Sequence, residues 1–230
     1  MKFIPSALGL AVALHLSTAV AAPLETLEQR LSYILGQSAA QQLGDLDLKL
    51  DLDAFKLAVE EAELEEGAER SMSSADITKT IGEARKISGE KAQKAAAEAA
   101  EVNVKEGEEY RAANAKKEGV VTTDSGLQYL EVKSGDGAMP KSSDQVKVHY
   151  KGTLINGKVF DSSYDRGEPA TFPVTGVIKG WVEALQLMNV GDKFQLVIPP
   201  ELGYGARGTG RDIGPNATLL FDVELLEIVK

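Results

Sequence analysis

The chain has 230 residues and 43% hydrophobic content, enough for a packed core in one large or two small domains, so extended disorder is excluded for most of it. Its 35 acidic residues outnumber 25 Lys and Arg, and the formal net charge of −10 argues against nucleic acid or an anionic membrane surface as partner. With no cysteine and two histidines, the sequence offers no thiol nucleophile, no disulfide and too few ligands for a histidine-based metal site.

Residues 1–21 pair Lys2 with an apolar run over 4–20 and the small-x-small sequence Ala19-Val20-Ala21. This predicts a secretory signal peptide cleaved after Ala21, too short and weakly apolar for a membrane span. Without a cysteine at the cleavage site, lipid attachment there is excluded, and a soluble exported product is expected.

Leu24, Leu27, Leu31, Ile34, Leu35, Ala39 and Leu43 recur at threes and fours, predicting a helix with one apolar stripe that stops at Gly44. An uncovered stripe predicts pairing of two copies. Residues 45–53 (DLDLKLDLD) alternate like a strand, but a lone strand among helices has no partner. A connector is expected instead, with Asp53 capping a helix over 54–65. Ser73 to Asp76 form a capping box, followed by a proline-free stretch rich in Ala, Glu and Lys up to about Lys117. A helix of about 40 residues would reach roughly 60 Å. Its later apolar residues are mostly alanine, so it reads as a solvent-exposed spacer rod. Gly89 and Gly107 are then weak points, each costing up to about 1 kcal/mol relative to alanine. The alternative is a helix frayed or broken in its middle.

From Gly119 the pattern turns to β. Strands are predicted over 127–132, 146–150, 152–154, 159–162, 170–174, 193–198 and 219–229. One helix, over 180–188, carries Trp181, Ala184, Leu185 and Met188 on one face. Val146, Val148 and Tyr150 alternate with Lys147, His149 and Lys151, the period of a half-buried strand. Asn156-Gly157 predicts a two-residue hairpin turn with positive φ at both positions. These segments nominate Tyr150, Phe160, Asp161, Trp181, Tyr204 and Phe221 for one aromatic cavity holding a single acid. An α+β domain, with an antiparallel sheet over one short helix, accommodates them.

His15 leaves with the leader and His149 points away from the Tyr150 face, so a hydrolytic triad has no base. The acidic pairs Asp45/Asp47 and Asp51/Asp53 lack the rest of a calcium loop. Residues 203–210 are glycine-rich without the Lys-Ser/Thr of a phosphate cradle, and read as a flap. What survives is a reaction needing no nucleophile, base or metal.

The blocks VHYKGTLINGKVFDSS, PATFPVTGVIKGWVEALQLM, LVIPPELGYGARG and IGPNATLLFDVELLEI resemble, in order, the signatures of FKBP-type peptidyl-prolyl cis-trans isomerases over residues 125–230. Upstream, LSYILGQSAAQQL, the charged helix and SGLQY resemble the macrophage infectivity potentiator (Mip) branch. The resemblance implies a half-barrel sheet wrapped around one short helix, preceded by an all-α dimerisation module and a long connecting helix. The implied boundaries are 1–21 for the signal peptide, 22–72 for the dimerisation module, 73–118 for the connecting helix and 119–230 for the isomerase domain. It also implies Trp181 as the pocket floor, with Tyr150, Phe160, Phe172, Val177, Ile178 and Phe221 as walls. Asp161 would meet the twisting carbonyl, Tyr204 would donate to a substrate carbonyl, Arg166 would orient Asp161, and Ile213 would close one side from the flap. No cofactor is implied. The implied partners are proline-containing unfolded polypeptides, a second copy of the chain, and macrolide inhibitors as candidate ligands, and the implied location is a bacterial periplasm. Ala170, Leu202 and Thr209 stand where drug-binding members often carry Phe, an aromatic and His, which makes the rim less aromatic. A non-catalytic dimeric chaperone is the alternative function.

Overall fold

The computed structural model describes residues 24–65, 68–210 and 212–229, so the expected signal peptide lies outside the described residues. These form two compact units, one up to Ile81 and one from Gly82 onward.

In the first unit, α1 (Leu27–Gly44) begins at a capping box. Thr26 accepts from the Gln29 amide, and Gln29 accepts from the Thr26 amide. Leu27, Leu31, Ile34 and Leu35 are at least half exposed along this helix. The alternating segment is a turn and connector, with Asp47 in the left-handed region at φ 59°. The next helix, α2 (Leu52–Ala62), starts two residues earlier than the sequence suggests. Its cap is Asp51, not Asp53, because the Asp51 carboxylate accepts from the amides of Asp53 and Ala54 at 3.1 and 3.0 Å. A third helix, α3 (Ser74–Asn114), is a single 41-residue element whose first turn is held by Ser73 Oγ accepting from the Asp76 amide.

From Gly82 onward α3 belongs to the second unit, and its C-terminal third is not a bare rod. Asn103, Gly107, Arg111 and Asn114 recur at helical spacing and meet the β-rich part. Asn103 Nδ2 donates to the Pro215 carbonyl at 2.8 Å, Arg111 Nη1 to Thr218 Oγ1 at 2.6 Å, and Asn114 Nδ2 to Gln128 Oε1 at 2.9 Å. Gln128 Nε2 in turn donates to the Arg111 carbonyl at 3.0 Å, a second donor beside the Ala115 amide. Gly107 is buried, and a Cβ there would stand 2.5 Å from Thr218 Oγ1. It is the point of closest approach, not a weak point in an exposed helix.

The second unit is a seven-stranded antiparallel sheet. Its strands are β1 (Val120–Thr122), β2 (Gln128–Lys133), β3 (Gln145–Leu154), β4 (Val159–Ser162), β5 (Ala170–Pro173), β6 (Lys193–Ile198) and β7 (Leu219–Val229), in the order β1-β2-β6-β7-β3-β4. β4 and β5 share the outer edge of β3, pairing with its second and first halves. The short β1 was not expected, and the two predicted pieces of β3 are one strand. Two further helices complete the unit, α4 (Ser163–Arg166), also unexpected, and α5 (Lys179–Leu185). Val146, Val148 and Tyr150 of β3, Phe221, Val223 and Leu225 of β7, and Phe194, Leu196 and Ile198 of β6 cover Trp181, Ala184, Leu185 and Met188 in one core. This is the expected α+β arrangement.

The β3–β4 hairpin departs from the predicted two-residue turn. The Gly157 amide donates to the Leu154 carbonyl, and the Leu154 amide to the Lys158 carbonyl, so Ile155, Asn156 and Gly157 form a three-residue loop. Gly157 alone takes positive φ, at 84°. Asn156 instead uses its side chain, accepting from the Lys158 amide at 3.0 Å.

Gly107→Ala gains helix propensity of about 1 kcal/mol, but it forces a methyl against a hydrogen-bonded threonine, an overpacking cost of about 1–3 kcal/mol. Calorimetry of the full chain should show a lowered melting temperature for Gly107→Ala. Gly89→Ala, with open space around the added methyl, should raise it.

Candidate active site

The cavity begins with a missing side chain. Alternation along β3 turns Val146, Val148 and Tyr150 inward, and the next inward position is Gly152, paired with Phe221 on β7 and Asp161 on β4. A Cβ at Gly152 would lie 2.6 Å from the Phe160 ring and 2.7 Å from that of Phe221. The two rings occupy that space edge to face, with centroids 5.4 Å apart. Trp181, at the start of α5, meets Phe221 at 5.3 Å, and Tyr150 at 5.2 Å and 90°. Gly180 beside it lets α5 lie close on β6, since a Cβ there would be 2.7 Å from Ile198.

These rings enclose a cavity of about 580 Å³. Tyr150, Phe160, Phe172 and Phe221 form its aromatic walls, and Trp181 is buried among them. Val177 and Ile178, on the approach to α5, line another side. Tyr204 and the flap residues Thr209, Asp212 and Ile213 complete it. Arg166 does not line the cavity and acts on it from behind Asp161. The expectation of a single acid needs correction, because Asp212 also reaches the rim, where Lys158 Nζ donates to it at 3.1 Å. Sequence reasoning also missed Gly152 as a shaping residue and Gly176 as a lining one. The signal for Gly152 was available, as it falls on the inward phase of β3.

Asp161, Tyr150 and Arg166 form a closed triangle. Tyr150 Oη donates to Asp161 Oδ2 at 2.6 Å, Arg166 Nη2 donates to Tyr150 Oη at 2.8 Å, and Arg166 Nη1 donates to Asp161 Oδ1. The sequence folds Arg166 back through α4. Ser162 caps that helix by accepting from the Asp165 amide, and Gly167 ends it at φ 80°. Behind the triangle, the fully buried Ser163 accepts from the Tyr150 amide at 2.8 Å, fixing the strand that carries the phenol. The Tyr150 hydroxyl has thus committed its proton to Asp161. Among the described residues the Tyr204 hydroxyl has no partner, and neither does the buried Trp181 Nε1. No group of three or more metal-ligating side chains occurs among the described residues.

Two family models match the chain: the FKBP-type peptidyl-prolyl cis-trans isomerase over residues 137–226, and the domain amino terminal to it over residues 28–130. The FKBP-type isomerase FkpA of Aeromonas hydrophila is 46% identical over 217 residues, covering 90% of this chain and 78% of that protein. The chain belongs to the FKBP-type peptidyl-prolyl cis-trans isomerases. The peptidyl-prolyl cis-trans isomerase Mip of Coxiella burnetii is 40% identical and covers 96% of both chains. The crystal structure of FkpA from Escherichia coli superposes with a TM-score of 0.65 at 40% identity, over 90% of this chain and 98% of that one.

Charge in this FKBP-type cavity is finely placed. Burial pushes the Asp161 carboxyl up, but hydrogen bonds from Tyr150 and Arg166, together with the guanidinium charge, outweigh it and hold the group below its ordinary value. Burial and then the neighbouring Asp161 carboxylate push both the Tyr150 and Tyr204 phenols up, so both stay protonated donors at neutral pH. Hydrogen bonds to Tyr150 and Asp161 hold Arg166 firmly charged.

A depressed folded-state carboxyl stabilises the fold above its unfolded pKa and stops doing so as pH falls through the folded value. Wild type should therefore melt above Asp161→Asn at pH 7, with a gap that stays constant down to about pH 4 and closes below it. Calorimetric melting of both proteins across pH 2–7 reads this directly.

Proposed function

We infer that this protein catalyses cis-trans isomerisation of peptidyl-prolyl bonds in unfolded or partly folded polypeptides. The observation that carries the reading is an aromatic cavity on the frame of this isomerase family, with the Asp161 carboxylate held at its wall by Tyr150 and Arg166. Amide rotation has a barrier of about 18–20 kcal/mol and takes about 10–100 s unaided. The planar amide is the more dipolar state, so a water-poor aromatic enclosure favours the twisted one. A prolyl ring seated over Trp181, between Tyr150, Phe160 and Phe221, would leave its twisting carbonyl near Asp161. Tyr204, with its hydroxyl unengaged, donates to a substrate carbonyl and anchors the peptide. Phe172, Val177, Ile178 and Ile213 shape the remaining walls. Arg166 and Tyr150 hold Asp161 ionised and oriented. The same cavity is the place for a macrolide, with affinity reduced where Thr209 leaves the rim less aromatic, while Ala170 and Leu202 pack against the core outside the lining.

Residues 1–21 direct the chain out of the cytoplasm, with the periplasm as its working compartment. No helix among the described residues is long and apolar enough to cross a membrane. The exposed stripe of α1, with Leu52 and Phe55 of α2, pairs two copies in a homodimer, leaving client-binding surfaces on both. The exposed apolar surface of these helices also favours a second role as a chaperone that holds unfolded clients.

With a proline-containing tetrapeptide, residues 22–230 should accelerate the cis-to-trans step. Asp161→Ala should lower kcat/KM at least about tenfold, the effect of roughly 1.4 kcal/mol at the transition state. Wild-type activity in that variant would sink the assigned role of Asp161. Light scattering of residues 22–230 should give a dimeric mass, and Leu31→Glu with Leu35→Glu should give a monomer that keeps peptide activity but loses activity on a refolding protein.

A further inference from the structure

The loop that closes the cavity is held from outside the sheet, by the helix read from sequence as a spacer. Ile213 is 4% exposed and lines the cavity, and its carbonyl accepts from the Thr209 amide at 2.9 Å, which closes the flap on itself. The turn leading into the flap is equally tight, since a Cβ at Gly208 would fall 2.2 Å from the Ile213 carbonyl oxygen. Immediately downstream, Asn216 adopts φ 55°, and its amide donates to the Gly205 carbonyl at 3.0 Å, the residue next to Tyr204. Two cavity residues, Ile213 and Tyr204, therefore depend on where residues 214–216 sit. Those residues are bound by α3. Asn103 Nδ2 donates to the Pro215 carbonyl at 2.8 Å, and a Cβ at Gly214 would lie 3.1 Å from the same nitrogen. One and two turns further along the helix, Gly107 and Arg111 meet Thr218, which is 1% exposed.

We propose that Asn103 is a positioning residue for the isomerase cavity, holding Ile213 and Tyr204 in place through the Pro215 carbonyl. The inference rests on the isomerase reading above. Asn103 touches no substrate and contributes no charge. It supplies one donor to a backbone carbonyl that has no strand partner, on a face of α3 brought into contact by Gly107. The wall it positions holds Ile213 beside Tyr204, the donor assigned above to a substrate carbonyl, so the effect belongs to substrate preference as much as to rate.

Asn103→Asp keeps the shape and replaces the donor by an acceptor facing a carbonyl. In the full chain it should lower kcat/KM about threefold to tenfold, the consequence of one lost hydrogen bond. The ratio of kcat/KM between a Leu-Pro and an Ala-Pro tetrapeptide should shift in the same direction as in Ile213→Ala. The double variant should lose less than the product of the two single losses, because both act on one wall. Lys105→Ala, on an exposed position of the same helix, should match wild type. Hydrogen exchange should show weakened protection of the Thr209 and Asn216 amides in Asn103→Asp, with the amides of β7 unchanged. Equal losses on both peptides, singles that multiply in the double variant, or unaltered exchange at Thr209 and Asn216 would each overturn the proposal. Failure of the wild type to accelerate either peptide would instead remove the isomerase reading, and the exchange comparison would still judge the contact between Asn103 and the loop.

Discussion

The architecture of the site depends on the absence of one methylene-sized volume at Gly152. A sheet strand that alternates bulky inward residues normally fills its concave face, and β3 does so at Val146, Val148 and Tyr150. At Gly152 the filling stops, and Phe160 from the neighbouring strand and Phe221 from β7 lean into the gap. Their edge-to-face packing sets the depth at which Trp181 can sit, and Gly180 lets α5 approach the sheet closely enough to put it there. Two glycines thus determine whether the middle of this domain is a solid core or a cavity.

A carboxylate at the wall of such a cavity is costly unless it is compensated. Here compensation comes from two donors of different kinds, the phenol of Tyr150 and the guanidinium of Arg166, each bonded to a different oxygen of Asp161 and also to one another. About half of the Arg166 and Asp161 side-chain surface remains exposed, so this is a screened, partly wet pair whose value lies in orientation more than in stability. Because Tyr150 is consumed in this arrangement, the role of free donor passes to Tyr204. The division of labour between two tyrosines follows from hydrogen-bond arithmetic, since each hydroxyl has a single proton to give.

Much of this was legible in the residue order. Period-2 alternation located β3 and helical spacing located α5, because burial of one face imposes each pattern, while α1 shows the helical spacing with none of its residues buried. The aromatic residues of the cavity could be nominated together for the same reason. What could not be read was polar. The docking face of α3 is Asn103, Gly107, Arg111 and Asn114, a row with no apolar member, so hydropathy reports a solvated rod where hydrogen bonds to a loop and a strand hold the helix down. Asp51 displaced Asp53 as a cap because two amides converge on it, a matter of backbone direction that composition does not encode. Asn156 has the residue type for a left-handed turn position, yet a three-residue loop lets Gly157 carry that conformation alone. The acid at the rim, Asp212, comes near the cavity only through the folding of a glycine-rich segment that has no periodic signal.

One further consequence follows from the make-up of the cavity lining. Trp181 is the sole tryptophan in the sequence, and it lies buried among Tyr150, Phe172 and Phe221 with its indole nitrogen unpaired. Tryptophan emission, excited selectively at the red edge of the absorption so that the six tyrosines stay dark, therefore originates at one point in this cavity. Any peptide or inhibitor that seats there changes the polarity and quenching around that single fluorophore, so the protein carries its own optical titration of occupancy without a label.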